Sequence, residues 1–259
     1  MPDSVFYVAG HPDDALFFRG EGLFTDLHGE DAVTVQIVVS AGDAGRTDGW
    51  WEAREAGSVE SLVGSLSPGK VDSGSVPVNG HVIQRYSAPT WAAYFLRLPD
   101  GNTTGSGFPS TGNRTLGKLQ SGAIPTLEAV DGSATYTGWN DFVDTLRAIV
   151  TADRGTTEHP WVNTSDPDSN LNPNDHPDHY AASAAVRDFA PDEGLNRLWW
   201  VSYDVANRAP NLGGYALDIK WFLVRMSGWM VFDATGTPPN DEEWTMWGAR
   251  SYNRSEPAE

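Results

Sequence analysis

The chain has 259 residues, 39% of them apolar, with 35 acidic against 17 basic side chains and a formal charge of −18. Only Lys70, Lys118 and Lys220 carry ammonium groups, and a charge this negative repels nucleic-acid phosphate and anionic lipid, so neither is expected as a partner. There is no cysteine, which excludes disulfides, thiolate metal sites and a cysteine nucleophile; any metal must be held by His, Asp or Glu.

The first predicted strand runs from Ser4 to Ala9 and ends on Gly10-His11-Pro12-Asp13-Asp14. The carboxyl edge of a sheet is where open α/β sheets bind their ligands, so ionisable groups there are notable. A helix is expected from Asp14 to about Leu27, and a second strand over Val33–Ser40, rich in β-branched residues. That strand ends on the glycine-bearing loop Gly42-Asp43-Ala44-Gly45, and Trp50 to about Leu66 reads as a helix. Strand, helix, strand, helix at this spacing predicts an α/β fold: a Rossmann-like, mostly parallel sheet flanked by helices.

From Ser67 to about Gly138 the composition turns to Gly, Ser, Pro and Thr. Asn79-Gly80 is a type I′ turn signal and predicts a β-hairpin between 76–78 and 81–87. Trp91–Leu98 reads as a sheet strand ending on Pro99-Asp100-Gly101, and 101–137 as a long loop insertion. A helix is expected from about Gly138 to Val150, with Thr137 as its N-cap. His159–Asn163 and Leu198–Tyr203 read as strands, and Tyr180–Phe189 as a helix. The Trp-rich remainder shows no order that the sequence reveals. No repeat and no composition break divides the chain, so one domain over 1–259 is expected. No basic and apolar leader precedes the first strand and no run reaches membrane-spanning length. A soluble chain without a signal peptide is expected, cytoplasmic or secreted. Four Asn-x-Ser/Thr sequons, at Asn102, Asn113, Asn163 and Asn253, do not separate those settings.

Two clusters carry the chemistry. His11 and Asp14, three residues apart at a strand-to-helix turn, face one point with Asp13 beside it. His176 and His179, within Asp175-His176-Pro177-Asp178-His179, are also three apart at the start of a helix and share its face. Two histidines and one carboxylate with a fourth position for water is a catalytic-zinc arrangement, and a spare carboxylate can act as general base. His28, His81 and His159 read as surface or satisfied core residues. The oxygens alternating along Asp166–Asp175 raise calcium as a second metal, although an EF-hand pattern would need Gly and Glu where Leu171 and Pro177 stand. No dinucleotide-binding glycine fingerprint and no Gly-x-Ser-x-Gly elbow is present.

The pair of clusters, with Gly42-Asp43-Ala44-Gly45, Arg54-Glu55 and Leu96-Arg97-Leu98-Pro99-Asp100-Gly101 between them, resembles the PIG-L/LmbE-like zinc-dependent N-acetylglucosaminyl deacetylases over most of residues 4–190. The resemblance implies one Zn2+ per chain held by His11, Asp14 and His179, with Asp13 as the base. It further implies that His176 serves the oxyanion or the leaving amine, with Asp178 orienting its ring, and that Arg54 and Asp100 contact substrate. Some members carry a tyrosine where this chain has Asn174, so a tyrosine contribution would have to come from elsewhere. The implied activity is removal of an N-acetyl group from an N-acetylglucosamine-type sugar or conjugate, a small-molecule partner. The alternatives are hydrolysis of another amide, in a thiol conjugate or a natural product, and non-catalytic carbohydrate binding, which the eleven tryptophans bring to mind.

Overall fold

The strand β1 (Asp3–Ala9) is central because both of its faces are apolar: Phe6 and Val8 are buried on one side, Tyr7 on the other. The computed structural model describes residues 3–29, 32–66 and 70–258. Ser67, where the sequence turns irregular, lies outside them. From β1 the chain enters α1 (Asp14–Leu27), then β2 (Ala32–Ser40) and α2 (Trp50–Leu66). β3 (Asp72–Val78) and β4 (His81–Ala88) form the expected hairpin, with Asn79 and Gly80 at φ 48° and 81°, as a type I′ turn requires. β5 (Trp91–Leu98) follows.

The excursion at 101–137 is more ordered than a long loop. It holds a short helix α3 (Leu116–Gln120) and a small hairpin of β6 (Thr126–Glu128) and β7 (Thr135–Thr137). The sequence obscures these elements because each is too short to show a period. α4 (Gly138–Asp153) starts after Thr137, whose N–H is taken by the Asp141 carboxylate at 2.7 Å; the Thr137 hydroxyl itself makes no cap. β8 (Trp161–Ser165), α5 (Pro177–Phe189) and β9 (Asn196–Trp200) lie within two or three residues of their expected ends.

The C-terminal third holds what the sequence hid: α6 (Gly214–Thr235), α7 (Asp241–Trp247) and β10 (Asn253–Glu256). α6 carries apolar and aromatic side chains all round, including Trp221, Phe222, Trp229 and Phe232. It therefore shows no clean stripe, and aromatic and β-branched residues are indifferent helix formers.

The eight-stranded sheet runs β10-β9-β8-β1-β2-β5-β4-β3. The five strands from β9 to β5 are parallel, and the antiparallel additions are β10 at one edge and the β4–β3 hairpin at the other. One core, with Phe142, Leu146, Val186 and Phe189, lies under α4 and α5; the other, with Leu16, Phe18, Leu62 and Leu223, lies under α1, α2 and α6. α6 rests closely on α2 at Gly57, where a Cβ would stand 2.8 Å from the Ser227 carbonyl oxygen. The chain leaves β1 for β2 on one side and returns to β8 on the other, so the carboxyl end of β1 is a topological switch point, where such sheets open a crevice. Among the described residues no helix is long and apolar enough to cross a membrane.

Candidate metal and catalytic site

Both histidine clusters meet in that crevice. His11 follows β1, and Gly10 before it has no room for a side chain, since a Cβ would lie 2.7 Å from the His179 ring. His176 is the N-cap of α5, where its Nδ1 accepts the Asp178 N–H at 3.2 Å. His179 lies one turn on, on the buried face of the helix.

His11 Nδ1 and His179 Nε2 are 3.0 Å apart. Asp14 completes the group, with Oδ2 at 3.1 Å from His179 Nε2 and Oδ1 at 3.6 Å from His11 Nδ1. Donors about 2.1 Å from a tetrahedral zinc stand about 3.4 Å from one another, so this donor set fits such an ion. The remaining nitrogens of the two rings are backed by carboxylates, the usual support of metal-bound imidazole. His179 Nδ1 lies 2.8 Å from Asp175 Oδ1, and His11 Nε2 lies 3.3 Å from Asp178 Oδ2.

Burial opposes charge on His11, yet Asp14 beside it carries the ring up to about 10. Burial likewise works against charge on His179, and Asp14 and Asp175 hold that ring well above the ordinary histidine value. Desolvation would raise Asp14, but the two rings outweigh it and hold the carboxyl well below the usual range. The group thus attracts positive charge, and metal binding to it would be linked to proton release.

His176 differs. Burial, reinforced by the charge on His11, lowers it to about 4. With Nδ1 accepting from Asp178, the neutral ring carries its proton on Nε2, which lies 3.6 Å from Asp100 Oδ1. The Asp178 carboxylate is nearer His11 Nε2 (3.3 Å) than His176 Nδ1 (3.7 Å), and its Oδ2 accepts the Gly101 N–H. Its strongest contact with His176 is therefore through the backbone.

Asp13 stands at the mouth of α1, and its Oδ1 accepts from Arg54 Nη2 at 2.5 Å. Arg54 also donates to the Gly42 carbonyl at 2.7 Å, which ties α2 to the loop after β2. Asp100 is braced similarly: its N–H donates to Asp43 Oδ1, and its own Oδ1 accepts from Asn102 N–H, both at 2.8 Å. Glu55, next to Arg54, is structural, gripping Arg97 through both oxygens at 2.6 and 2.8 Å.

Of these groups His11, Asp13, Arg54, Asp100, Asn102 and His176 line a cavity of about 420 Å³, to which α6, the 237–240 loop and α7 also contribute. Three further residues of the site were given no role in it from the sequence. Asp175 backs His179 at i−4, a spacing that could have been read. Tyr203 packs its ring edge-on to His179 at 5.2 Å and stacks on Trp247 at 4.9 Å. Tyr203 also lines the cavity, whereas Asn174 sits at φ 57°, a left-handed conformation that Asn tolerates well. Glu243 of α7 also lines the cavity, where desolvation and the nearby Asp13 raise it to about 7.

The calcium expectation is not met. Both Asp166 oxygens accept from Arg254, at 2.7 and 2.9 Å, Asp168 is engaged with Asn170, and Asp175 is turned to His179. A guanidinium in that place repels a cation. The other histidines are satisfied locally: His28 by the Phe24 carbonyl, His81 by Asp141, His159 by the Gly194 carbonyl.

No protein-family model and no curated protein matches the chain. Among solved structures, the zinc-inhibited form of teicoplanin deacetylase Orf2 is similar over 97% of this chain and 96% of its own, with TM-score 0.50 and 15% identity. A deacetylase–teicoplanin complex from the teicoplanin biosynthesis pathway covers the same shares with TM-score 0.51 and 16% identity. N,N′-diacetylchitobiose deacetylase from Pyrococcus horikoshii, complexed with its inhibitor MPG, aligns with 99% of this chain and 84% of its own, at TM-score 0.49 and 15% identity. At such identity the likeness is one of fold: over nearly its whole length this chain has the fold of the teicoplanin deacetylase structures.

Proposed function

We propose that the chain is a zinc-dependent N-deacetylase of the PIG-L/LmbE-like kind, working as one domain over residues 1–259. Its substrate is a small N-acetylated sugar of the N-acetylglucosamine type, or a conjugate of one. The observation that carries this reading is the three-donor group of His11, Asp14 and His179 with Asp13 beside it on the cavity. The solved structures of like fold are deacetylases, one of them in a zinc-inhibited form.

His11, Asp14 and His179 would hold the ion, and zinc, when bound, supplies Lewis-acid polarisation of the amide carbonyl and acidifies the attacking water. Asp13 takes the proton from that water. Its Oδ1 is fixed by Arg54, which leaves Oδ2 for the transfer. The neutral His176 ring directs Nε2–H at the oxygen that gains charge as the carbonyl carbon becomes tetrahedral. The proton held by Asp13 passes to the leaving nitrogen as the C–N bond breaks, giving acetate and a free amine. Asp100, braced by Asp43 and Asn102, and Arg54 face the substrate. A binding-only protein would have no use for this set of acid and base groups.

Acetate release from N-acetylglucosamine conjugates, with metal content measured in parallel, tests the proposal. Asp13→Ala is expected to keep its zinc and lose ~10²-fold or more of its turnover, whereas His179→Ala loses the metal. Full activity of the Asp13→Ala protein would overturn the mechanism.

A further inference from the structure

A second cavity, of about 380 Å³, shares no residue with the catalytic one. It is built at the β9–β10 edge of the sheet. Pro167 comes from the loop after β8, Arg187 from the last turn of α5, Arg197 and Trp199 from β9, and Arg254 from β10. In a chain with 35 acids against 17 bases, three guanidinium groups thus line one cavity.

The acids beside them are engaged. Asp168 accepts from the N–H and the side-chain amide of Asn170, both at 2.9 Å. Glu256 takes Arg197 Nη2 on one oxygen and Trp199 Nε1 on the other, both at 2.8 Å. Trp199 and Arg197 hold its carboxyl below the ordinary glutamate range. One carboxylate is therefore already seated here on a guanidinium and an indole N–H, and donors remain for another oxyanion. Arg197 is only 6% exposed, and its buried Nε has no hydrogen-bond partner among the described residues, which is costly for a charged group. Arg187 is exposed and makes no ion pair or hydrogen bond with any described residue. Arg254 gives Nε and Nη2 to Asp166 at 2.7 and 2.9 Å and keeps Nη1 3.7 Å from Glu256, too far for a hydrogen bond. The guanidinium fork matches the oxygens of carboxylate and phosphate. Pro167 and Pro191 add apolar surface, and the volume holds more than a bare ion.

We propose that this cavity is a second binding site, for a small organic oxyanion whose charged group lies between Arg187 and Arg197 and whose body lies against the two prolines. It stands apart from the deacetylase reading, since none of its residues enters that mechanism.

The test is calorimetric titration of the full chain with benzoate and with phenyl phosphate at one ionic strength, so that the tighter of the two identifies the oxyanion as carboxylate or phosphate. Binding of one ligand per chain is expected. Arg187→Gln should weaken it by ~10-fold or more, and Arg187→Lys, which keeps the charge without the fork, by less. Prior dialysis against a chelator should leave the affinity unchanged, because the site is separate from the metal. The proposal is overturned if neither probe binds at millimolar concentration, or if Arg187→Gln binds as the parent does. Loss of binding after chelation also overturns it, since the anion would then be held at the metal.

Discussion

Asp175 stands behind His179, one of the proposed zinc ligands. Its Oδ1 is 2.8 Å from His179 Nδ1, and its Oδ2 accepts from Asn172 Nδ2 at 2.7 Å, so the carboxylate that orients the ring is itself held in place. Removing such a support typically costs 10- to 100-fold in metal affinity. Asp175→Ala is therefore expected to weaken zinc binding by ~10- to 100-fold in a chelator competition, with Asp175→Asn in between because an amide oxygen can still accept from Nδ1–H. An unchanged affinity in the alanine protein would remove Asp175 from the site. Glu243 gives a second expectation at this scale, since its folded-state value of about 7 is raised above the ordinary glutamate value of 4.5. Its contribution is fully present below pH 4.5 and is lost as pH rises through 7. Glu243→Gln removes that loss, so the variant should exceed the parent in stability at pH 8 by about 1–2 kcal/mol. Denaturant unfolding at pH 5 and pH 8 checks it, and a gap no wider at pH 8 would contradict it. The two clusters that meet in the crevice were legible because each is local, a few residues at the end of a predicted strand or the start of a helix. Tyr203 and Glu243 were not, because tertiary packing alone brings them to the cavity from segments with no motif.

The elements divide along the same line. α1 and α2 could be read to the residue because each carries one apolar stripe and a clear boundary, and the β3–β4 turn because Asn79-Gly80 admits few other conformations. α6 escaped because its apolar residues surround the axis. Its inner residues meet α2 and the core, Val224 and Val231 line the cavity, and Trp221 and Trp229 remain exposed. What places α6 is close approach: Ser61 Oγ lies 2.9 Å from the Leu223 carbonyl, and Gly57 leaves room for Ser227. Lys220, fully buried, then binds the end of α7 and the chain after it by donating to the Trp247 and Arg250 carbonyls at 3.2 and 2.6 Å. A side chain at position 57 must push α6 outward. Gly57→Val should cost about 1–3 kcal/mol in urea unfolding, as overpacked contacts generally do. Since the same helix walls the cavity, the proposed deacetylase activity should show a raised KM in this variant, with metal content unchanged from the parent. A variant with parental stability would show that the two helices do not need this approach.

At the scale of the whole molecule the dominant fact is charge, with 35 acids against 17 bases. Many of the bases are already paired, Arg54 with Asp13, Arg97 with Glu55 and Asp131, and Arg254 with Asp166. The unpaired excess is therefore acidic and repels itself more strongly in the folded state, where it is confined to a radius of gyration of about 18 Å, than in the open chain. The Debye length falls from about 30 Å at 0.01 M salt to about 8 Å at 0.15 M. At the lower salt the acids interact across the entire molecule, and at the higher only with near neighbours. Salt also weakens exposed pairs such as Lys70–Asp72, but such pairs contribute little to stability. The two effects oppose each other, and the excess of acids decides the sign in favour of stabilisation. Raising KCl from 0.01 to 0.15 M should raise Tm by about 2–4 °C for each kcal/mol of repulsion screened, with little further gain above that concentration. An equal osmolality of sucrose should not reproduce this saturating dependence, because an excluded solute acts on exposed surface rather than on charge. A Tm that falls with KCl would mean that the ion pairs, rather than the unpaired acids, set the electrostatic balance of the fold.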